Sequence, residues 1–313
     1  MIKQLIKNFQ TRDFKPAKHQ NLVEAQPFLQ WVGGKRVLLS EYNSHFPEEF
    51  NDYWEPFLGG GAVFYHMFKK NPDKNYNLSD LNEELIVTYK AVRDNPVEVV
   101  SIIGDMNSVH SKEFYYAVRD INKKSVGKKF IKDFELKDKL TAEEMAARFI
   151  YLNKTCFNSL WRVNSQGLNN VPIGTSLKKD ISDNGNIDLC SKALSKNVFL
   201  EYRNYKDILS LVKEGDFVYL DPPYHVDSTV SSFTAYNKSG FSISDQRDLK
   251  DFCDSLNNNG IKFMLSNSNS QFIRDLYSSY KQYCFSVARS LNSNKNKRSK
   301  ESAGFNEILI KNY

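Results

Sequence analysis

Apolar positions along the chain follow two different periods. Continuous apolar and aromatic runs of strand length occur in DYWEPF at 52–57, NVFLEYRNY at 197–205, GDFVYLDPPY at 215–224 and IKFMLSNSN at 261–269, the pattern of strands covered on both faces. A shorter run at Tyr76–Ser79 stops at Asp80. Other stretches carry apolar residues at helical spacing: AVFYHMFKK after the glycines at 59–61, NEELIVTYKAVRDNP ending ahead of Pro96, and SDQRDLKDFCDSL. Each can lay one face on a sheet. Alternating strands and helices predict an α/β fold with a Rossmann-like, doubly wound, mainly parallel sheet. In FLQWVGGKRVLLSEY, Gly33-Gly34 interrupts the chain before Val37, Leu38 and Leu39 resume at helical spacing. From about 86 to 180 the chain turns helical and charged and loses strand-like runs, which marks an inserted domain. Residues 1–25 read as a polar extension with a helical start, and no internal repeat is present.

At 313 residues the chain has room for one large α/β domain plus a smaller insert. Its hydrophobic share, 41%, is dispersed, and no run approaches the roughly 18 to 20 apolar residues of a membrane-spanning helix. MIKQLIKNFQTRDFKPAKHQ lacks the apolar stretch and small-residue cleavage site of a secretory signal. Cys156, Cys190, Cys253 and Cys284 stand far apart, with no C-x-x-C pair and no His at ligand spacing. That predicts reduced thiols, no metal site and a cytoplasmic protein. A net charge of +6 permits a polyanionic partner through phosphate contacts and counterion release. Lys and Arg concentrate in KKSVGKKFIKDFELKDK at 123–139 and NKNKRSKES at 294–302. Lys295, Lys297 and Arg298 are therefore candidate DNA contacts, although a solvated loop accounts for either segment equally well.

The candidate chemistry sits at strand ends. After EPF, Leu58 leads into Gly59-Gly60-Gly61, where Gly59 and Gly61 allow unusual φ and a ligand close to the backbone. The dinucleotide fingerprint wants a further glycine at 64, which is Phe64, so a compact adenosyl ligand fits better than a pyrophosphate. Asp80 ends the next strand, where its carboxylate can accept from ribose hydroxyls or cap the helix that follows. Asp221-Pro222-Pro223-Tyr224 follows the apolar strand Phe217–Leu220. Two prolines stiffen the backbone and remove N–H donors, so the Asp carboxylate and the main-chain carbonyls form a set of acceptors. Such a set suits an exocyclic amine: accepting its N–H bonds draws the nitrogen lone pair out of conjugation, toward an incoming methyl group. Tyr224 supplies a ring to stack on a base swung out of a duplex. A Pro-Pro turn with a capping Asp is the plain alternative.

WVGGK at 31–35, EPFLGGG at 55–61, LSDLN at 78–82, LNKTCFNSLWRVNSQGLNNVPIG at 152–174, DPPY at 221–224, FTAYNKSGFSISDQ at 233–246 and LSNSN at 265–269 occur in that order. Together they resemble the Dam-type family of DNA adenine-N6 methyltransferases, the alpha group or D12 class, over residues 26–313. The resemblance implies S-adenosylmethionine as methyl donor, S-adenosylhomocysteine as product and no metal. It also implies the S-adenosylmethionine-dependent methyltransferase fold and a mainly helical target-recognition insert carrying a β-hairpin. Donor contacts fall to Trp31, Lys35, Phe57, Asp80 and Asp221 beside Gly59 and Gly61, with Asn204 and Tyr205 aligned to the same role. Asn158, Leu160 and Arg162 would read double-stranded DNA, Arg162 by gripping a guanine edge. A phosphate contact by Arg162 would instead give affinity without sequence choice. Phe157 corresponds to the aromatic that family members insert beside the vacated base. Members usually carry Lys where this chain has Gln30, the position that helps read the first base pair of a GATC-type site. A restriction endonuclease is implied as a system partner without a stable complex, in a bacterial or phage setting at the nucleoid.

The expected organisation is an extension at 1–25, a catalytic donor-binding domain at 26–85 and 185–313, and a target-recognition domain at 86–184. Three other readings compete. An RNA or protein-amide methyltransferase would more often carry Asn in place of Asp221, a silent DNA-binding protein would keep the fold without activity, and an NAD dehydrogenase is disfavoured by Phe64.

Overall fold

The computed structural model describes residues 1–12, 22–31, 33–121, 123–126, 129–132, 139–175, 181, 185–225, 241–286 and 306–313, with the backbone alone at 123–126 and 129–132. Lys295, Lys297, Arg298 and positions 233–240 of the FTAYNKSGFSISDQ block lie outside the described residues. In chain order the described helices are α1 (Ile2–Ile6), α2 (Leu39–Tyr42), α3 (Ala62–Lys70), α4 (Glu83–Asp94), α5 (Pro96–Ser108), α6 (Lys112–Arg119), α7 (Ala142–Thr155), α8 (Asn186–Leu194), α9 (Ile243–Asn258) and α10 (Gln271–Leu276). The described strands are β1 (Tyr53–Glu55), β2 (Tyr76–Asp80), β3 (Lys123–Val126), β4 (Lys129–Lys132), β5 (Val198–Tyr202), β6 (Phe217–Leu220), β7 (Lys262–Ser268), β8 (Lys281–Phe285) and β9 (Glu307–Lys311). By compactness the chain divides into two units. One is Met1–Lys35 with Gly59–Asp73 and Asn82–Tyr202; the other is Arg36–Leu58 with Lys74–Leu81 and Arg203–Tyr313.

The second unit carries six strands in the order β2-β1-β6-β7-β9-β8, and β5 belongs to the first unit. The strands β2, β1, β6 and β7 run parallel, while β9 is antiparallel to both β7 and β8. The mainly parallel α/β sheet expected from the alternating pattern is therefore present. Phe217-Val218-Tyr219-Leu220 is buried along its whole length, as a central parallel strand must be. Val218, Leu220, Phe263, Leu265, Ile308 and Ile310 join Leu249, Phe252, Cys253 and Leu256 of α9 in one apolar cluster, each large side chain contributing about 1.5–3 kcal/mol of burial. Pairing in the register Leu220↔Leu265 sets the residues that follow, Asp221 and Ser266, side by side at the C-terminal strand ends. Such ends are where ligands of open α/β sheets bind. The helical spacing at 37–39 does not make one helix: Lys35–Val37 is a 3-10 turn, Val37 is 75% exposed, and only Leu39–Tyr42 is α-helical.

The first unit is built around α7, buried at every position from Glu144 to Asn153. Its start is secured by a capping box of Thr141 and Glu144, and α4, α5 and α6 pack around it. Arg148 is 1% exposed and serves as a cap for a neighbour: Nε donates to the Val118 carbonyl at 3.0 Å and Nη2 to the Arg119 carbonyl at 2.9 Å, at the end of α6. Burial lowers the Arg148 pKa, opposed by the charge of Glu84 at 3.3 Å. The start of the chain is docked rather than loose, since Ile2 is buried and α1 packs on α5. Two antiparallel hairpins occur in this unit, β3–β4 and the bridged pairs Cys156↔Ile173 and Val163↔Asn169. Cys156, Cys190 and Cys253 are buried and Cys284 is exposed. No described helix is long and apolar enough to cross a membrane.

Candidate active site

In the second unit, β6 delivers Asp221-Pro222-Pro223-Tyr224 at its C-terminal end. Asp221 is half-buried, Pro222 buried and Pro223 exposed. Ser266 Oγ donates to Asp221 Oδ1 at 2.9 Å, and the Tyr219 hydroxyl lies 3.1 Å from Ser266 Oγ. An ionised carboxylate only accepts, so the Ser266 proton is spent on Asp221 and Tyr219 must donate to Ser266. Tyr219 and Ser266 are both 0% exposed. Burial and then the Asp221 charge push the Tyr219 phenol well above its ordinary pKa, which keeps it a donor.

The prolines are clamped from α9. Gln246 Nε2 donates to the Pro223 carbonyl at 3.0 Å, and Gln246 Oε1 accepts from Asn267 Nδ2 at 3.0 Å. Asn267 Oδ1 accepts the His225 N–H at 3.2 Å, and Ser268 Oγ donates to the His225 carbonyl at 2.6 Å. Gln246 and Asn267 are fully buried, and buried amides satisfied in this way rigidify what they hold. One of the two proline carbonyls is thus committed to the fold. Burial and then the Asp221 charge also hold the Tyr224 phenol protonated, well above its ordinary pKa.

Two strands from β6 in the sheet, Asp80 closes β2, and its carbonyl accepts the Arg203 N–H at 3.3 Å. The cap of α4 is Asn82, whose side chain accepts the Leu85 N–H at 3.1 Å; Asp80 is not the helix cap that its position also allowed. Phe57, Tyr205 and Phe241 form an aromatic bay. Their ring centroids lie 5.3 Å apart for Phe57–Tyr205, 6.2 Å for Phe57–Phe241 and 6.3 Å for Tyr205–Phe241. Those are the distances of aromatic rings packed on one another, Phe57 and Tyr205 stacked and Phe57 and Phe241 edge to face. The Asn204 side chain accepts the Lys206 N–H at 3.0 Å and caps the 3-10 turn Tyr205–Ser210 that carries Tyr205.

In the first unit the glycine turn has its own reason for being glycine. Gly59 and Gly61 have φ of +47° and +68°. A Cβ at Gly59 would lie 2.8 Å from Trp31 Nε1, and one at Gly60 would lie 2.9 Å from Trp31 Cβ. The Trp31 side chain thus packs directly on this turn. Trp31 stacks toward Phe149 at 6.3 Å, and Phe149 stacks on Trp161 at 3.8 Å. Lys35 is 2% exposed and donates from Nζ to the Gly33 carbonyl at 2.8 Å.

The residues expected to read DNA also lie in the first unit, on the loop after α7 and the hairpin it enters. Phe157 is 41% exposed. Asn158 and Ser159 have φ of 54° and 52°, a left-handed conformation costing a non-glycine residue about 1–3 kcal/mol. Arg162 Nε donates to Asn170 Oδ1 at 2.7 Å, and the Asn170 N–H donates to the Arg162 carbonyl at 3.2 Å, which fixes the guanidinium at its root. Leu160 is half-buried and Gln30 exposed.

Sequence reasoning did not single out Ser266, Asn267, Gln246, Phe241 or Asn153. For Gln246 a signal existed: it shares the buried face of α9 with Leu249, Phe252, Cys253 and Leu256, and a polar residue on an apolar face calls for a partner. Ser266 and Phe241 lie inside the matching blocks, yet nothing local says which neighbours they meet.

A mainly parallel sheet with an antiparallel edge pair, holding an acid–proline–proline–aromatic loop rigid at the end of a central strand, is the architecture of a methyltransferase. Comparison with known proteins narrows the class. Residues 31–291 match the family described as D12 class N6 adenine-specific DNA methyltransferase. The chain is 38% identical to type II methyltransferase M.MjaIII of Methanocaldococcus jannaschii over 306 residues, 93% of this chain and 100% of that protein. It is 34% identical to type II methyltransferase M1.LlaDCHI of Lactococcus lactis subsp. cremoris over 94% of this chain and 98% of that one. It is 31% identical to the DNA adenine methylase of Escherichia coli K12 over 87% of this chain and 91% of that one. The chain belongs to the D12 class of N6 adenine-specific DNA methyltransferases, and its reaction is the methylation of adenine in DNA. The dehydrogenase, RNA or protein-amide and silent-binder readings give way to that family.

Proposed function

We propose that the chain moves a methyl group from S-adenosylmethionine directly to the N6 amine of an adenine swung out of duplex DNA, at GATC or a related site, leaving S-adenosylhomocysteine. The observation that carries this reading is the clamped loop at 221–224. The Pro223 carbonyl is committed to Gln246, so the reading gives the amine N–H groups to the Asp221 carboxylate and the Pro222 carbonyl. Accepting both draws the nitrogen lone pair out of the ring and toward the methyl group. Ser266 and Tyr219 hold the carboxylate for that task, and Tyr224 stacks on the extruded base.

The residues suit the donor. Phe57, Tyr205 and Phe241 offer aromatic surface to the adenine of the donor, and the Asp80 carboxylate at the end of β2 accepts from its ribose hydroxyls. Asn204 caps the turn that carries Tyr205, while Trp31, Lys35, Gly59 and Gly61 are assigned to the donor on the family resemblance. When bound, S-adenosylmethionine supplies an electrophilic methyl on a sulfonium. No covalent enzyme intermediate is required, because the amine attacks directly.

For DNA we assign residues 86–184 to target recognition and 26–85 with 185–313 to catalysis, with 1–25 as an extension. Arg162 grips a guanine edge, Asn158 and Leu160 line the same surface, Phe157 fills the space beside the vacated base, and Gln30 faces the first base pair. Lys295, Lys297 and Arg298 contribute phosphate contacts. Two relatives are named type II methyltransferases, which supports pairing with a restriction endonuclease as a system partner in the cytoplasm of a bacterium or a phage host.

Incubation of the protein with tritiated S-adenosylmethionine and adenine-containing duplexes tests the reading. Incorporation should vanish in Asp221→Ala while donor binding is largely kept. Unchanged incorporation would remove Asp221 from the reaction.

A further inference from the structure

Asn153 lies in the last turn of α7 and is 0% exposed. Its carboxamide makes three hydrogen bonds to two segments, one distant in the chain and one on the loop that follows α7. Oδ1 accepts the Gln30 N–H at 2.9 Å, and Nδ2 donates to the Gln30 carbonyl at 2.7 Å and to the Ser159 carbonyl at 3.2 Å. The first two close a ring on the backbone of one residue, in the way that one strand pairs with another. The third reaches the consecutive left-handed pair Asn158 and Ser159. A second link runs between the same segments, because Ser159 Oγ donates to Gln30 Oε1.

Two non-glycine residues in the left-handed region persist only where their surroundings over-determine them, and such strain collects at functional loops. Here the determinants are the Ser159 N–H, which donates to the Cys156 carbonyl at 3.3 Å, the Cys156 thiol, which donates to the Leu160 carbonyl at 3.4 Å, and Asn153. Of these three, Asn153 also holds the chain at Gln30. Its side chain therefore ties both Gln30 and the start of the 158–162 loop to one rigid helix.

We infer that Asn153 is a positioning residue for sequence recognition, coupling the segment that carries Gln30 to the loop that carries Asn158 and Arg162. The base pair faced by Gln30 and the base pair read by Arg162 are then not selected independently: loosening the shared anchor loosens both. Ser159 further presets the Gln30 side chain, so Gln30 reads from a fixed rotamer rather than as a freely swinging amide. The inference rests on the recognition roles proposed above for Gln30 and Arg162.

The test measures single-turnover methylation of a GATC duplex and of duplexes in which each base pair other than the target is replaced in turn. Gln30→Ala and Arg162→Ala should each relax discrimination at one position. Asn153→Ala should relax both positions together, by about tenfold each, with the affinity for S-adenosylmethionine unchanged. Ser159→Ala, which cuts only the link to the Gln30 side chain, should relax the Gln30 position alone, and it keeps the inference testable if Asn153→Ala does not fold. An equal loss on every duplex in Asn153→Ala, or no change of discrimination in Ser159→Ala, would overturn the coupling. If Gln30→Ala and Arg162→Ala leave every ratio unchanged, the recognition assignment itself fails. If those two relax discrimination and Asn153→Ala does not, the coupling alone fails.

Discussion

Ser266→Ala removes the middle of the Tyr219, Ser266 and Asp221 chain without touching the aromatic bay. Ser266 Oγ donates to Asp221 Oδ1 at 2.9 Å, and a hydrogen bond to a charged group is worth about 1.5–3 kcal/mol. At about 1.4 kcal/mol per factor of ten in rate, methyl transfer should slow roughly 10- to 150-fold if that bond holds the carboxylate in the transition state. Tyr219 would lose its acceptor at a site that is 0% exposed, at a cost of about 1–3 kcal/mol in stability. Tyr219→Phe removes only the outer donor, so its rate loss should stay near the worth of a neutral hydrogen bond, roughly 3- to 10-fold. Because Phe57, Tyr205 and Asp80 keep their surroundings, the donor Kd should stay within about twofold. The assay is rapid-quench single-turnover transfer with enzyme in excess, with calorimetric titration of the donor and a thermal melt. A folded Ser266→Ala protein that transfers within twofold of the parent would refute the argument, as would Tyr219→Phe proving the more damaging change.

Phe241→Ala opens the bay, and at about 0.5–1.5 kcal/mol per aromatic pair the donor Kd should rise roughly 2- to 10-fold; an unchanged Kd by calorimetry would take Phe241 out of the site. Gly59→Ala combines φ +47° with a Cβ 2.8 Å from Trp31 Nε1, so urea denaturation should show a loss of about 1–3 kcal/mol. Gly104→Ala, inside α5 with nothing within 4 Å of its Cβ, should instead gain up to about 1 kcal/mol. Equal losses at both positions would contradict the packing described for Trp31. Burial holds the phenols of Tyr53, Tyr65, Tyr219, Tyr224 and Tyr277 well above 10.0, whereas in the unfolded chain they ionise near 10. Folded pKa values that are raised give a stability complete below that pH and lost as pH rises through it. The share of tyrosinate absorbance due to these five phenols should therefore appear only in step with alkaline unfolding, and its full appearance with the fold intact would count against the burial argument.

Much of the fold was legible because the central strands carry their own label. DYWEPF, GDFVYLDPPY and IKFMLSNSN are apolar on both faces, and β1, β6 and β7 lie within them. The helix AVFYHMFKK coincides with α3 from first residue to last. KQYCF and EILIK were not legible: each is a short strand bounded by lysine or glutamate, and they become strands because β9 pairs antiparallel with both β7 and β8. The break at 35–39 was hidden as well, since helical spacing says nothing about whether Val37 has anything to pack on.

At the site, the sequence alone determined the kinds of atoms present. Asp221 with two prolines is a rigid acceptor set, three glycines are a turn that bears no side chain, and an ordered series of matching blocks names a family. Composition and order suffice for such statements because they depend on covalent chemistry and local backbone freedom. Tertiary structure decided which acceptors are already spent. It committed the Pro223 carbonyl to Gln246, gave Asp221 a donor in Ser266 and Gln30 an anchor in Asn153, and put Trp31 against the glycine turn. Those partners are separated by 23, 45 and 123 residues where the hydrogen bonds are concerned. A hydrogen bond between residues so far apart forms only after sheet register and helix packing have brought its two ends together, and no local pattern in the chain encodes that distance.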